Sequence, residues 1–268
     1  MSATLEVKDL SVTYNRPGRD PLKAVRGVSF EVRPGEIVGL VGESGCGKST
    51  TARAICGLEK PSAGSIVFDD TPVTPLTMRR RDPRLMRIQM VFQNPYASLN
   101  PRRSIASQIE DGRRVNPGQA PGVDELLDMV EIPREAKGAY PYQFSGGQRQ
   151  RIAIARAVAA GADLLIGDEP IASLDASLQA KVAMLMRDVC LRTKASLLFI
   201  SHDLAVVRLI ADRVLVMNAG RIVEQGATED LWNHPQEDYT KRLLASIPEP
   251  DGLGRIPGGD WDEQSDED

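Results

Sequence analysis

The sequence predicts an α/β fold in which parallel strands alternate with helices in a doubly wound core. Three observations predict it. Short apolar runs at 36–41, 88–92, 163–167 and 195–200 read as strands buried on both faces, separated by helical or turn-rich sequence. The stretch Gly42-Glu43-Ser44-Gly45-Cys46-Gly47-Lys48-Ser49-Thr50 fits the G-x-x-x-x-G-K-[ST] pattern and stands between a strand and a helical segment. Gln93, Asp168, Glu169 and His202 each end or follow one of these runs, at the edge where open α/β sheets bind ligands.

Taken in order, Leu5 to Tyr14 alternates apolar and polar residues and predicts a half-buried strand. Tyr14 ends it, either closing the strand end or offering a ring on which a purine can stack. Ala24 to Val32 is a second alternating strand, and Arg33-Pro34-Gly35 turns the chain into the buried strand before Gly42. Ser49 to Gly57 has helical composition, with Gly57 as its stop. Ser65 to Phe68 adds a short strand, so a small antiparallel sheet is expected beside the core. The basic stretch Met78 to Arg87 predicts a solvated helix with a connecting loop. Asn94 to Arg102 is a loop framed by Pro95 and Pro101. From Ser104 to Ala139 helical patterning is broken by Pro117, Pro121 and Pro133, so several short helices are expected as an insertion into the sheet. Ser145 is a good N-cap for a helix reaching about Ala160, and Gly146 and Gly147 leave its first N–H groups unshielded. Helices over Ala176 to Leu191 and Asp238 to Ala245, and a strand pair at Asp212–Met217 and Arg221–Glu224, complete the ordered part. The tail from Glu249 holds eight acidic residues and one basic one, with many Gly and Pro, and reads as a disordered, solvating segment.

The chemistry starts at the glycine-rich turn. There the backbone can curl so that successive N–H groups face one cluster of phosphate oxygens. The helix N-terminus adds partial positive charge, Lys48 a full one, and Ser49 a hydroxyl suited to Mg²⁺. A cradle alone hydrolyses nothing; phosphoryl transfer also needs a metal, a base that orients water and charge on the γ-phosphate. Asp168 is placed to hold Mg²⁺ directly or through water, Glu169 to polarise the attacking water, Gln93 to touch metal and water, and His202 to bond the γ-phosphate. His234, beside Pro235 in polar sequence, reads as surface. The helix tip at Ser145-Gly146-Gly147 is then a second anion site. One active site rarely needs two such tips, unless a second copy pairs head to tail and closes its tip over the phosphate held by the first.

Bulk composition bounds the rest. With 41% hydrophobic and 26% charged residues, the 268-residue chain can bury a sizeable core. Cys46, Cys56 and Cys190 lack paired spacing, which argues against disulfides and metal knuckles and for a reducing, cytosolic setting. The start Met1-Ser2-Ala3-Thr4-Leu5-Glu6 does not read as a secretion signal, and no run of about eighteen apolar residues is present to span a membrane. The net charge of −4 conceals a body with 32 basic and 29 acidic residues, a balance that makes no case for nucleic acid as a partner.

From about residue 4 to 246 the chain resembles the nucleotide-binding subunit of an ABC transporter. The resemblance rests on A-loop-like Tyr14, Walker A Gly42–Ser49, Q-loop Gln93, the signature Ser145-Gly146-Gly147-Gln148, Walker B Leu164–Asp168 with Glu169, the D-loop Ser173-Leu174-Asp175 and the switch His202. It implies a P-loop NTPase (RecA-like) core with an antiparallel β-subdomain and an inserted α-helical subdomain at about 94–160. It also implies ATP and Mg²⁺ as cofactors. On this likeness Gly42, Ser44, Gly45, Cys46, Gly47, Lys48, Ser49 and Thr50 hold the phosphates, while Ser145–Gln148 and Asp175 serve the nucleotide of a facing cassette. Ser49, Gln93 and Asp168 hold the metal, and Glu169, His202, Gln93 and Lys48 are the catalytic set. Two departures touch no reacting group: Gly167 where Walker B usually carries an apolar residue, and Ile171 after Glu169-Pro170.

The loop 94–102 and the segment 233–248 are similar to those of dipeptide and oligopeptide importer ATPases, with Glu237 and Asp238 in place of the usual His-Pro. The cysteine cluster that some of these proteins carry is missing, so no iron–sulfur cluster is expected. The resemblance implies peptide uptake, with a nickel or other small-solute importer as an alternative in the same class. A soluble ABC ATPase acting on nucleic acid or ribosomes is a more distant one. The implied partners are two transmembrane permease subunits, a second homologous or identical ATPase subunit and an extracytoplasmic substrate-binding protein. The implied location is peripheral, on the cytoplasmic face of the inner membrane.

Overall fold

The computed structural model describes residues 5–78, 80–94, 98–115 and 121–247. Two sheets organise it. A four-stranded antiparallel sheet has the order β2–β1–β4–β5, from β1 (Leu5–Arg16), β2 (Arg19–Val32), β4 (Ala63–Phe68) and β5 (Thr71–Pro72). A six-stranded sheet has the order β10–β9–β3–β8–β7–β6, from β3 (Ile37–Val41), β6 (Ile88–Phe92), β7 (Leu164–Asp168), β8 (Ser196–Ile200), β9 (Arg213–Asn218) and β10 (Arg221–Ala227). Its strands run parallel except β10, which returns antiparallel to β9.

The central parallel strands are mostly apolar because both of their faces are covered. Every residue of β3, β7 and β8 is buried. Val38, Leu40, Leu164, Ile166, Leu198 and Ile200 point to one face, packing with the antiparallel sheet and with α1 (Lys48–Ile55). Ile37, Val41, Leu165, Leu197 and Phe199 point to the other. There they meet α2 (Ile105–Arg113), α3 (Val123–Met129), α4 (Gly146–Ala159), α5 (Ala176–Thr193) and α6 (Leu204–Ile210). The α/β class, the antiparallel sheet beside the core and the helical segment between β6 and β7 are therefore borne out. Gly167 has a packing reason: an added Cβ would stand 2.9 Å from Pro170 Cγ and 3.1 Å from Met186 Cε, so glycine lets α5 approach β7.

The helix starts follow their caps. Ser104, Ser145, Asp175 and Asp203 each accept a backbone N–H from the first turn of α2, α4, α5 and α6. Two expectations need correction, and two elements were not foreseen. The loop expected over 15–21 is instead a continuation of both strands, closed by a turn at Pro17-Gly18. Among the described residues of 78–87 the only helical piece is a 3₁₀ turn at Arg84–Arg87; Pro83 restricts the residue before it, and the basic side chains repel one another. Strand β5 and helix α7 (Thr228–Asn233) were not expected; each is too short to carry a period. The chain closes on α8 (Asp238–Ala245). Arg79, the loop residues Pro95, Tyr96 and Ala97, and the acidic tail lie outside the described residues. Among those described, no helix is long and apolar enough to cross a membrane.

Candidate functional site

Register in the parallel sheet decides which side chains can meet. Asp168 is level with Phe92 on one side and with Ile200 on the other, and Ile200 is level with Leu40. The residues one or two steps further on, Gln93, Glu169, His202 and the turn from Gly42, therefore leave the sheet together at its C-terminal edge. A cavity of about 360 Å³ opens there. It is lined by Ser44, Gly45, Gly47, Lys48, Ser49 and Thr50 of the turn, by Gln93, Glu169 and His202 from the strand ends, and by Tyr14, Leu22 and Ala24 of the antiparallel sheet.

The turn closes on itself around Lys48. Its side chain is only 5% exposed, and Nζ donates to the carbonyls of Gly42 at 2.7 Å and Glu43 at 2.9 Å. The ammonium is thus held inside the curl, ready to exchange a carbonyl for a phosphate oxygen. Gly47, at φ +114°, precedes α1 and caps it without a side-chain hydrogen bond, so the first N–H groups of the helix face the cavity mouth. An added Cβ on Gly47 would lie 2.4 Å from the Ala24 carbonyl oxygen. Cys46 turns inward: its thiol is buried 3.9 Å from Lys48 Nζ, and burial holds its pKa up despite the nearby ammonium. Its backbone is also engaged, the N–H donating to the Glu43 carbonyl at 3.3 Å and the carbonyl accepting from the Gly220 N–H at 2.9 Å.

Ser49 and the β7 end are joined directly, Ser49 Oγ donating to Asp168 Oδ1 at 2.6 Å. Asp168 does not line the cavity; it is buried behind Ser49. Glu169 adopts φ +50°, its backbone N–H donating to the Ile200 carbonyl at 3.0 Å. That left-handed step carries its carboxylate off the strand and into the cavity, where Oε2 stands 2.8 Å from His202 Nδ1. Tyr14 OH reaches Thr50 Oγ1 at 3.5 Å, fixing the ring at the mouth.

Leu22 and Ala24 were not anticipated. Leu22 pairs with Tyr14 across the β1–β2 hairpin and stays 43% exposed, an apolar wall beside an aromatic one. The signal in the sequence was the alternation of β2, which gives a shared face but not what that face overhangs. The serine-led residues stand elsewhere. Ser145 Oγ accepts from Gln148 N–H at 3.3 Å, and Gln148 Oε1 accepts from Ser145 N–H at 3.0 Å, a capping box that occupies the Gln148 side chain. Asp175 caps α5, and the hydroxyl of Ser177 followed by the Leu178 N–H holds its carboxyl below the ordinary range. Neither Asp175 nor any of Ser145–Gln148 lines the cavity.

A cradle, a buried lysine and a carboxylate–imidazole pair at one sheet edge are the parts of a nucleotide triphosphatase. The model of one family, described as ABC transporter, matches residues 25–172, from the second strand to just past Glu169. The chain belongs to the ABC transporter family. As a member it is an ATP-binding, ATP-hydrolysing cassette that drives transport. Among its relatives, the oligopeptide transport ATP-binding protein OppF of Lactococcus lactis is 44% identical over 259 residues, covering 92% of this chain and 81% of its own length. OppF of Bacillus subtilis is 43% identical over 254 residues, covering 92% and 83%. The ABC fold is matched by a dimeric ATP-binding cassette, MJ0796, in a post-hydrolysis state bound to ADP and Pi. That match has a TM-score of 0.70 at 26% identity and covers 84% of this chain and 98% of that one. CbiO1 of Clostridium perfringens, part of the ABC transporter complex CbiONQ, matches with a TM-score of 0.72 at 28% identity, covering 87% and 92%.

Proposed function

We propose that this ABC cassette powers the uptake of short peptides, working in pairs on the cytoplasmic face of the inner membrane beneath two permease subunits. An extracytoplasmic binding protein delivers the peptide. The observation that carries the chemistry is the meeting of Lys48, Ser49, Gln93, Glu169 and His202 in one cavity roofed by Tyr14. ATP lies with its base on the Tyr14 ring beside Leu22 and its phosphates in the Gly42–Thr50 turn. Glu169 accepts a proton from the water whose oxygen attacks the γ-phosphorus, while the bond to the bridging oxygen breaks and ADP leaves. His202 steadies the Glu169 carboxylate and reaches the γ-phosphate, and Lys48 faces the charge that develops on the phosphates.

The residues present suit Mg²⁺. Ser49 Oγ, Asp168 Oδ1 and the Gln93 amide oxygen are hard oxygen donors that leave room for phosphate oxygens and water. Among the described residues no group of three or more His, Cys, Asp or Glu gathers to cage a metal alone, in keeping with an ion shared with the nucleotide. Bound there, Mg²⁺ would supply charge to the β- and γ-oxygens.

Two observations support pairing. The Ser145–Gln148 tip and Asp175 stand apart from the cavity of their own cassette, and α4 behind the tip is a full 14-residue helix. Its dipole is best used on the triphosphate of a facing copy. The peptide reading draws on the oligopeptide transport named for the Lactococcus and Bacillus relatives. Co-expression with permease subunits and a binding protein of an oligopeptide importer from the same organism tests it. In vesicles, a di- to hexapeptide bound by that protein should be taken up in an ATP-dependent manner. Uptake of nickel but not peptide, or hydrolysis indifferent to every peptide offered, would overturn the substrate.

A further inference from the structure

Gln93 follows β6 directly, and the two carbonyls that bracket it are taken by side chains from different parts of the molecule. Gln150, on α4, donates its Nε2 to the Phe92 carbonyl at 3.2 Å. Ser173, in the turn before α5, donates its hydroxyl to the Gln93 carbonyl at 3.2 Å. A residue has two soft backbone dihedrals, so fixing the peptide plane on each side fixes the direction of its Cα–Cβ bond. Both anchors are firm. Gln150 is 0% exposed. The turn holding Ser173 is braced by Gln179, whose Nε2 donates to the Ile171 and Leu174 carbonyls at 3.4 and 3.2 Å.

Gln150 is also under-used. Its Oε1 is buried and has no hydrogen-bond partner among the described residues. An amide held in the core with half of its capacity unmet costs stability, and a leucine or methionine there would not carry that cost. Its retained donor goes to the chain next to Gln93. The two anchoring elements are also those that carry the residues standing away from the cavity: α4 starts at the Ser145 tip, and α5 is capped by Asp175. The carbonyls flanking Gln93 are thus tied to α4 on one side and to the turn that leads into α5 on the other.

We infer that Ser173 and Gln150 are positioning residues for Gln93: the hydroxyl and the amide, by holding the carbonyls on its two sides, set how far its carboxamide stands into the nucleotide cavity. The inference rests on the reading that Gln93 serves the metal and the attacking water, so its test separates the two. Neither residue touches the nucleotide cavity itself. Their loss therefore changes metal use and turnover, not the grip of the cradle on ATP.

The experiment is Mg²⁺-dependent ATP hydrolysis by the full chain, titrated with Mg²⁺ at saturating ATP, alongside ATP binding measured without Mg²⁺. Ser173 is exposed, so Ser173→Ala should fold normally. It should raise the half-saturating Mg²⁺ about three- to tenfold and lower kcat by a similar factor, the range expected for one lost hydrogen bond, with metal-free ATP affinity unchanged. Ser173→Thr, which keeps the hydroxyl, should return both to within about twofold. On a Gln93→Ala background Ser173→Ala should add nothing, because the group it positions is gone. Gln150→Met keeps length and burial without the donor and should reproduce the Ser173→Ala pattern. Wild-type Mg²⁺ dependence in Ser173→Ala, or a defect of equal size on the Gln93→Ala background, would overturn the inference while leaving the role of Gln93 intact. A Gln93→Ala chain with wild-type kcat and Mg²⁺ dependence would remove the reading beneath it, and the inference with it.

Discussion

Replacing Glu169 by glutamine separates chemistry from architecture. The side chain is 15% exposed, its backbone is held by the bond to the Ile200 carbonyl, and its Oε2 meets His202 Nδ1 at 2.8 Å. Gln has the same length and no branch at Cβ, so the φ of +50° costs it no more than it costs Glu. The fold should hardly respond. A change within about 0.5 kcal/mol corresponds to less than about 2 °C in melting temperature for a domain of this size. What is lost is the proposed proton acceptor. General-base catalysis is worth about 10²- to 10⁴-fold, or about 2.7–5.4 kcal/mol of barrier. Glu169→Gln should therefore release phosphate at least about a hundredfold more slowly. It should bind ATP at least as well as the parent, since one negative charge beside the γ-phosphate has gone. Stalled with ATP, it should accumulate as a dimer. Single-turnover phosphate release, equilibrium ATP binding and size-exclusion mobility with and without ATP read these three effects. A phosphate-release rate within tenfold of the parent would show that another group takes the proton.

Three further outcomes follow from named contacts. Lys48→Ala removes the donor to the Gly42 and Glu43 carbonyls and the one ammonium in the cradle. With charge-assisted bonds worth about 1.5–3 kcal/mol, ATP affinity should fall about tenfold or more, and unchanged affinity in a nucleotide titration would contradict the cradle. Gly47→Ala puts a Cβ 2.4 Å from the Ala24 oxygen at φ +114°; backbone strain of about 1–3 kcal/mol plus the overlap should lower the melting temperature and abolish ATP binding, and a parent-like melting curve refutes it. Glu36 is partly desolvated, which would raise its pKa, but the bond from Arg213, with help from the Arg33 N–H, holds it below its ordinary 4.5. A carboxyl depressed on folding stabilises above its unfolded pKa and loses that stabilisation as pH falls through the folded value. Glu36→Gln should thus be less stable than the parent at pH 7, and the difference should shrink below about pH 4.5, the ordinary value, in denaturant titrations. A gap as wide at pH 3 as at pH 7 would rule the bridge out as its source.

The central strands of the parallel sheet were legible because burial on both faces leaves an apolar run, as in Ile37–Val41 and in residues 197–200. The short pieces were not. Thr71–Pro72 is two residues long, and α7 offers a single buried apolar residue, Leu231, so neither shows a period. The basic stretch 78–87 misled in the other direction. Its composition tolerates a helix, but among its described residues Pro83 and a row of like charges leave only one 3₁₀ turn. The hairpin of β1 and β2 ran longer than expected because Pro17-Gly18 turns the chain in place, and that extension is what sets Leu22 opposite Tyr14.

The site divides along the same line. Residues at strand ends could be placed together from sequence because a parallel sheet in register brings the positions after Phe92, Asp168 and Ile200 to one level. Alternation in β1 and β2 says which residues share a face but not which strand of another sheet they overhang, so Leu22 and Ala24 had no such guide. The bonds of Gln150 and Ser173 were beyond reach for a further reason. Each joins a side chain to a carbonyl 58 or 80 residues away, and every residue offers the same carbonyl. A pattern of side chains encodes the faces of elements; it does not encode which main-chain oxygen a distant hydroxyl will find. For a cassette whose nucleotide cavity and serine-led tip lie apart, contacts of that second kind tie one to the other. A variant series guided by motifs alone would pass over Gln150, and would include Ser173 without pointing to its bond to the Gln93 carbonyl.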